Sequence, residues 1–536
     1  MSESINTSRR KFIIGAGGLI AAGIVATYFY RNSKNELVEI HIDRIADFTD
    51  ETVFDVCVVG SGPAGAILAT QLVKQGYKVL IVESGLIMHQ DEYDDRVDQL
   101  DRYSYVGNQD YPLAVTRMRA LGGTSNMWTG RCSRLHPIDF EKNAYTPEGM
   151  DWPVRYPEIQ EYYSESEKIF RVRGDKLSEY HAPRKNDLPL HEASDIDGLR
   201  ELMASADVVI DSSPSSTSPS GSGPTRVATD LIPDYLLNQN AHLITGATVT
   251  KLVTDSEGNV SGVNIKNLDN SEVVIKAKQY VVACGAVESS RLLLMSTSES
   301  HPNGIGNEFD NVGRYFNEHP NVGFRGKISH NASTLSPSYE LARCHQFYDQ
   351  LKKEGYGSAL LVITQSWVFP QDLKDWSFQG ILEKAKNMFG RLVSADLQIG
   401  ATLEMYPHRE NRVRLSDNKE DYFGNPAAEL HMNLTDKDEA TIKRTRDLIH
   451  SIYQKLGATD IKELPISWSH HHIGGCCMGN DPKTSVVDAN LKVHGMNNLY
   501  VAGSGVFVTG GAAHPTLAIS ALSLRLAGRL NSVLKA

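Results

Sequence analysis

The feature that most constrains this chain is the run Gly60-Ser61-Gly62-Pro63-Ala64-Gly65, set directly behind an apolar stretch. Residues 54 to 60, Phe-Asp-Val-Cys-Val-Val-Gly, read as a buried parallel strand. A helix pattern follows from Ala64 to Lys74, and Gly76 ends it. A second strand, Lys78 to Val82, runs into Glu83. Strand, glycine turn, helix and acid in this register form a dinucleotide-binding fingerprint. Gly60 makes the tight turn, Gly62 lets a pyrophosphate approach the backbone, and Gly65 lets the helix pack on the strand. The helix start at Ala64 offers unpaired N–H groups to the phosphates. Glu83, 23 residues after Gly60, is placed to accept hydrogen bonds from the adenosine ribose hydroxyls. This fingerprint alone does not separate FAD from NAD.

The chain has 536 residues, which predicts two to four structural units. Its formal net charge of -11 argues against a nucleic-acid partner, because phosphate binding needs concentrated Lys and Arg. The six cysteines form no C-x-x-C, so no c-type haem is attached. The adjacent Cys476 and Cys477 read as small buried residues rather than a redox pair.

The N-terminus reads as a targeting segment. Arg9 and Arg10 stand ahead of a 19-residue apolar run from Phe12 to Tyr30, as in a twin-arginine export signal. The run is also near the roughly 20 residues of a membrane-spanning helix. Residues 1–31 are thus expected to be a cleaved signal or a retained anchor. Both place the folded part outside the cytoplasm, in the periplasm or tethered on its side of the membrane. Residues 32–50 read as a polar linker.

Further segments carry a family resemblance. Arg119-Ala-Leu-Gly-Gly-Thr-Ser-Asn-Met-Trp128, then Ala283-Cys-Gly-Ala-Val-Glu-Ser-Ser-Arg-Leu292, then Asn311-Val-Gly-Arg-Tyr-Phe-Asn-Glu-His-Pro320 recur in order. Val486-Val-Asp488 and Asn498-Leu-Tyr-Val-Ala-Gly-Ser504 complete the set. The chain resembles the glucose-methanol-choline (GMC) oxidoreductases over about residues 53–536, in the branch of pyranose oxidase and bacterial sugar and alcohol dehydrogenases. The resemblance implies an α/β chain, α+β taken as a whole. A Rossmann-like FAD-binding domain would come from residues 50–145, 225–325 and 465–536. A β-sheet substrate domain would come from 146–224 and 326–464. It implies FAD contacts at Gly122, Gly123, Ser125, Asn126, Met127, Val249, Ala283, Gly285, Gly503, Ser504, Pro515 and Thr516. Two departures stand out. Ala502 replaces the aspartate common before the Gly-Ser pair. Met127 stands where the pyranose oxidase branch has a histidine bonded to FAD, so the flavin is expected to be non-covalent.

The same resemblance locates the chemistry. His470-His471-His472-Ile-Gly-Gly-Cys-Cys-Met478 is similar to the family's H-x-x-G-x-x-x-M segment and implies His471 as general base. Gly510-Gly-Ala-Ala-His514-Pro-Thr516 supplies a second active-site residue, His514, ahead of a final helix from Leu517 to Leu530. An imidazole, with an ordinary pKa of about 6.5, suits removal of a hydroxyl proton near neutral pH while hydride passes from the same carbon to flavin N5. The Thr516 N–H would support the reduced flavin's negative charge. Three consecutive histidines cannot readily converge on one ion, so no metal is expected. His470 and His472 are left to orient the base or line the site.

On the substrate side, residues 212–224, rich in Ser, Pro and Gly, read as a surface loop or an active-site lid. Asn411–Ser416 reads as a strand and Asp436–Gly457 as an amphipathic helix. Trp367, Trp376 and Trp468 are candidates for stacking on a sugar, with core packing as their default. The leading functional expectation is a dehydrogenase oxidising a CH–OH group of a sugar, polyol or alcohol, with electrons passing to a quinone or cytochrome. The alternatives are an oxidase producing hydrogen peroxide, and a flavin-binding electron-transfer subunit without its own substrate. An NAD-linked flavin reductase would need a second G-x-G-x-x-G, which is absent. Several family dehydrogenases work with a small subunit that carries the export signal; here the signal sits on the flavoprotein itself.

Overall fold

The computed structural model describes the chain except residues 1–25, 32–36, 50, 88–94, 175–176, 187, 190–195, 222, 332–340 and 368–391. The paired arginines Arg9 and Arg10, most of the apolar run and Trp376 lie outside the described residues.

The glycine fingerprint folds as its physics demands. The strand Val53–Val59 turns at Gly60 into the helix Pro63–Lys74, and the chain returns as the strand Val79–Val82. Both strands are almost wholly buried, as a two-faced parallel sheet requires. They sit in a sheet that also takes in Ala241–Ile244, Ala247–Thr254, Val260–Asn267, Glu272–Val282 and Leu499–Val501. The long strand Glu272–Val282 serves two halves. Its first residues pair antiparallel with Val260–Asn267, and its last ones pair parallel with Val53–Val59 and Leu499–Val501. The apolar helix Thr516–Lys535 packs beside Pro63–Lys74 at one face of this sheet.

A second sheet is antiparallel, ordered Thr459–Trp468, Pro320–Asn331, Leu392–Leu403, Ala359–Trp367, Leu341–Cys344 and Asp211–Ser212. The amphipathic helix Asp436–Lys455 lies against it, ending two residues before Gly457, which takes φ +62° just beyond. Tyr453 on this helix donates its hydroxyl within 2.8 Å of the carbonyls of Phe324 and Leu397. A small third sheet joins Arg412–Glu420, Pro426–Met432 and Tyr103–Gly107. The buried apolar residues form two clusters, one around the glycine fingerprint and one beneath the antiparallel sheet.

Two expectations are corrected. Residues 32–50 are not a plain linker: Leu37–Ile42 is a strand paired antiparallel with Ala26–Arg31, and Ile45–Asp47 is a helical turn. Tyr28, Phe29 and Tyr30 end the apolar run with strand-favouring aromatics, so the run does not continue as one helix to Tyr30. Residues 212–218 are not a surface loop either. Ser212, Ser213, Ser215, Ser216 and Ser218 are buried. Small hydroxyl side chains can enter an interior seam where each finds a partner, so Ser/Pro-rich composition misleads here. The six cysteines are unpaired, five of them buried and Cys284 partly so.

Candidate active site

The glycine turn opens onto a cavity of about 410 Å³ that also reaches the histidine segment. Three helices point their N-termini at it: Pro63–Lys74, Gly285–Met295 and Thr516–Lys535. None of the three has a side-chain cap. Uncapped first-turn N–H groups and the positive dipole ends therefore face the cavity, which suits an anionic or electron-rich ligand. A Cβ on Gly62, Gly285 or Gly503 would meet nothing within 4 Å, so each leaves room for a ligand at the wall. Gly60 and Gly65 are glycines for packing. A Cβ on Gly60 would lie 2.6 Å from the Ala283 carbonyl oxygen, and one on Gly65 2.0 Å from the Gly60 oxygen. Such a cradle suits a dinucleotide.

Of the residues expected at the cofactor, Gly60, Gly62, Ala64, Glu83, Gly123, Ser125, Met127, Val249, Ala283, Gly285, Gly503, Ser504, Pro515 and Thr516 line the cavity. Gly65, Gly122 and Asn126 do not. A Cβ on Gly122 would sit 2.6 Å from the Ala228 nitrogen, so packing alone already requires glycine there. Asn126 donates to the Leu121 carbonyl at 2.8 Å and braces the turn. Glu83, expected at a ribose, also braces the turn. It accepts the Ser61 N–H at 3.0 Å, the Ser61 hydroxyl at 2.6 Å and the Gly85 N–H at 2.7 Å, fixing the glycine turn. Burial raises its proton affinity against those donors.

The histidine end is assembled by strand pairing. Pro320 pairs with Trp468, so the residues just before one strand face those just after the other. Glu318 is fully buried there. It accepts the N–H groups of His319 at 3.0 Å, Ser469 at 3.2 Å and His471. Burial pushes Glu318 up to about 8 despite these donors. His319 and His471 hold their Nδ1 atoms 2.9 Å apart. The His471 and His514 rings meet edge to face, 5.2 Å between centroids and 75° between planes. Both imidazoles keep one side to the cavity and are enclosed by protein elsewhere. Burial first, then neighbouring histidines and, for His514, Arg343, hold both well below the usual histidine range. They are neutral at physiological pH and able to accept a proton.

His470 takes φ +63°, a turn that separates Ser469 from His471. His472 points away from its neighbour. Its Nε2 lies 2.8 Å from the Tyr111 hydroxyl and 3.0 Å from Thr116 Oγ1, and burial pushes it down to about 3. The loop carrying His514 is pinned by a buried ion cluster. Lys352 reaches Asp139 at 2.5 Å and Glu404 at 2.9 Å, all three without solvent exposure. Tyr348 donates to Asp139 at 2.8 Å and accepts the Ala512 N–H at 2.8 Å; the Gly511 N–H donates to Glu404 at 3.3 Å. Among the described residues no group of three or more His, Cys, Asp or Glu is arranged to hold a metal. Sequence reasoning passed over Glu318 and His319, although they stand inside the Asn311–Pro320 motif. It also missed Arg131, which lines the cavity. Trp468 is a packing residue: its indole donates to the Asp110 carbonyl at 2.9 Å and its ring meets Tyr111 edge-on.

Two sequence profiles described as GMC oxidoreductase match residues 54–321 and 407–523. The chain belongs to the GMC oxidoreductase family. It is 24% identical to the fructose dehydrogenase large subunit of Gluconobacter japonicus, over 90% of this chain and 98% of that protein. It is 27% identical to 2-methyl-1,2-propanediol dehydrogenase of Mycolicibacterium austroafricanum, over 88% of this chain and 94% of that one. The crystal structure of pyridoxine 4-oxidase from Mesorbium loti superposes with a TM-score of 0.59 at 18% identity, covering 89% of this chain and 99% of that chain. This GMC protein is accordingly an oxidoreductase of an FAD-binding family acting on alcohol and sugar CH–OH groups, with the family's flavin domain and substrate sheet.

Proposed function

We propose that this GMC oxidoreductase oxidises a secondary or primary CH–OH group of a sugar or polyol and passes the electrons to a quinone or cytochrome. The observation that carries the reading is the pair of imidazoles, His471 and His514, set edge to face in the cavity that the glycine turn opens. FAD, when bound, supplies the hydride acceptor. Gly62, Gly285, Gly503 and the three helix N-termini would hold it, without the histidine link of the pyranose oxidase branch, since Met127 stands at that position.

The chain's own task is the hydroxyl proton. His319 Nε2 lies beside the Gly510 backbone without a hydrogen-bond partner, and burial holds this imidazole down to about 4. A proton kept on that Nε2 leaves His319 Nδ1 as an acceptor. His471 then donates Nδ1–H to it and presents an unprotonated Nε2 to the substrate hydroxyl. His514 hydrogen-bonds the same oxygen and fixes the carbon's orientation. Glu318 holds the backbone of His471, so the base cannot swing away.

The second reading is an oxidase that hands the electrons to oxygen, as the names of some relatives state for those proteins. The dehydrogenase reading is favoured by Arg9-Arg10 ahead of an apolar run, which supports export of the folded flavoprotein to the periplasm or a membrane tether beside respiratory carriers. A small partner subunit is compatible with the fructose dehydrogenase relative, which is itself named a large subunit. The test is anaerobic mixing of the holoenzyme with sugars, polyols and aliphatic alcohols while flavin absorbance is followed, then reoxidation by a quinone analogue or by oxygen. Bleaching by a sugar or polyol with fast quinone reoxidation is expected. Flavin that stays oxidised with every alcohol would end the proposal, and rapid oxygen reoxidation would move it to the oxidase reading.

A further inference from the structure

Arginine buried in a protein interior needs a counter-charge, because an uncompensated guanidinium loses its hydration without return. Several interior arginines of this chain obey that rule. Arg134 is held by Glu167 at 2.7 Å, Arg291 by Asp421 at 2.6 Å, and Arg314 by Glu410 at 2.8 Å. Also lining the cavity, Arg117 pairs with Glu288 at 2.6 Å and Arg119 with Asp101 at 2.9 Å. At the histidine end the pattern breaks. Arg131 lines the cavity with His471 and His514, and Arg343, outside that lining, is 5% exposed. Among the described residues neither has a carboxylate within ion-pair distance.

What these two arginines do touch is neutral. Arg131 donates from Nη1 to Ser215 Oγ at 2.6 Å, and its buried Nε finds no acceptor. Arg343 donates from Nε to Ser213 Oγ at 3.4 Å. The acid nearest in register, Asp211, faces Arg343 across the strand pair but is already taken. It accepts from Ser178 at 2.6 and 3.1 Å and lies 3.0 Å from His181. Burial, with Arg131 adding repulsion, pushes Arg343 down to about 9, and both arginines depress His514. Two like charges are thus concentrated beside the residue that orients the reacting oxygen. Arg343 belongs to the antiparallel sheet, through Leu341–Cys344, and not to the sheet that carries the glycine turn.

We propose that the substrate carries a carboxylate, which Arg131 binds and Arg343 backs, so that this site takes a hydroxy acid or sugar acid rather than a neutral sugar. The proposal rests on the CH–OH reading above and deepens it. The carboxylate supplies the missing counter-charge, and a planar guanidinium offers it two parallel N–H donors. Arg131 would thereby fix which hydroxyl reaches His471 by fixing the far end of the molecule.

The experiment compares matched acid and alcohol pairs on the holoenzyme: D-gluconate with D-glucitol, D-glycerate with glycerol, and glycolate with 1,2-ethanediol. Binding is read from the perturbation of the flavin spectrum, and turnover from anaerobic flavin reduction. In at least one pair the acid is expected to bind at least about tenfold more tightly than its alcohol. In Arg131→Met that ratio should collapse toward one, and Arg131→Lys should restore part of it; Arg343→Met should lower it by a smaller factor. Alcohols matching or exceeding their acids throughout, while still reducing the flavin, would overturn the proposal and leave the CH–OH reading intact. An acid preference that survives both methionine variants, or Arg131→Met slowing acid and alcohol equally, would also overturn it, the second by showing that the charge serves the reaction and not recognition. Perturbation without reduction by any compound would count against the CH–OH reading while the binding ratio still judged the arginines. Should Arg131→Met fail to fold, the wild-type ratios decide.

Discussion

The two ends of the cavity are built from different materials. The nucleotide end is made of backbone: glycines where a Cβ would collide or fill the cradle, and helix N-termini left uncapped. The histidine end is made of side chains, brought together from distant segments and held by buried charge. A backbone site is written in short, contiguous sequence, because each glycine acts where it stands. A side-chain site depends on which strands pair, and no local stretch records that. The first end should therefore be sensitive to added bulk and the second to lost functional groups.

The sharpest test of this contrast is His471→Ala. Flavin should remain bound while its anaerobic reduction falls by about 10²–10⁴, the usual share of a general base. Equal reduction rates would remove His471 from that role. Gly65→Ala attacks the other end, where the new Cβ would lie 2.0 Å from the Gly60 oxygen. The purified protein should lose its flavin spectrum, with stability lower by about 1–3 kcal/mol; a fully yellow variant would show the turn to be more yielding than described. Lys352→Met leaves Asp139 and Glu404 facing each other without their cation, and should cost about 3–5 kcal/mol in denaturant unfolding.

Smaller effects sharpen the picture. Burial holds His319 down to about 4 and His472 to about 3, below the ordinary value of roughly 6.5. As pH falls below about 6.5 the unfolded chain takes up these protons first, so the contribution is whole above that pH and is lost between there and about 3–4. The melting temperature should drop from pH 7 to pH 5, and His472→Phe should flatten the slope; a wild-type profile level over that window would contradict the burial. The smallest effect is expected of Met127→Leu. It should leave the flavin content unchanged and the flavin extractable by denaturation, whereas a covalent link would show as colour retained in the precipitate.

Much of the fold was legible because periodicity and glycine spacing are local. The strand–turn–helix of residues 53–82 and the helices Asp436–Lys455 and Thr516–Lys535 all carry their own patterns. Val53–Val59, however, finds its parallel neighbour in Lys276–Val282, more than 200 residues away, which no window reveals. His471 and His514 were readable from motifs, but their supports were not. Glu318 and His319 reach His471 only because Pro320 pairs with Trp468. Ser213 and Ser215 were hidden by composition, since a serine-rich stretch looks solvated until arginines are found bonded to it. Gly122 carries a constraint its motif does not announce: a Cβ there would lie 2.6 Å from the Ala228 backbone nitrogen.

The six sulfhydryl groups leave a further mark on the protein's chemistry. Burial pushes Cys57, Cys284, Cys344, Cys476 and Cys477 to about 12, and Cys132 higher still. Held protonated, they are poor nucleophiles toward disulfides and peroxides. The covalent framework is then the same in reducing and oxidising surroundings, and the polypeptide can change compartment, or work beside an oxidant, without a redox partner to keep it intact.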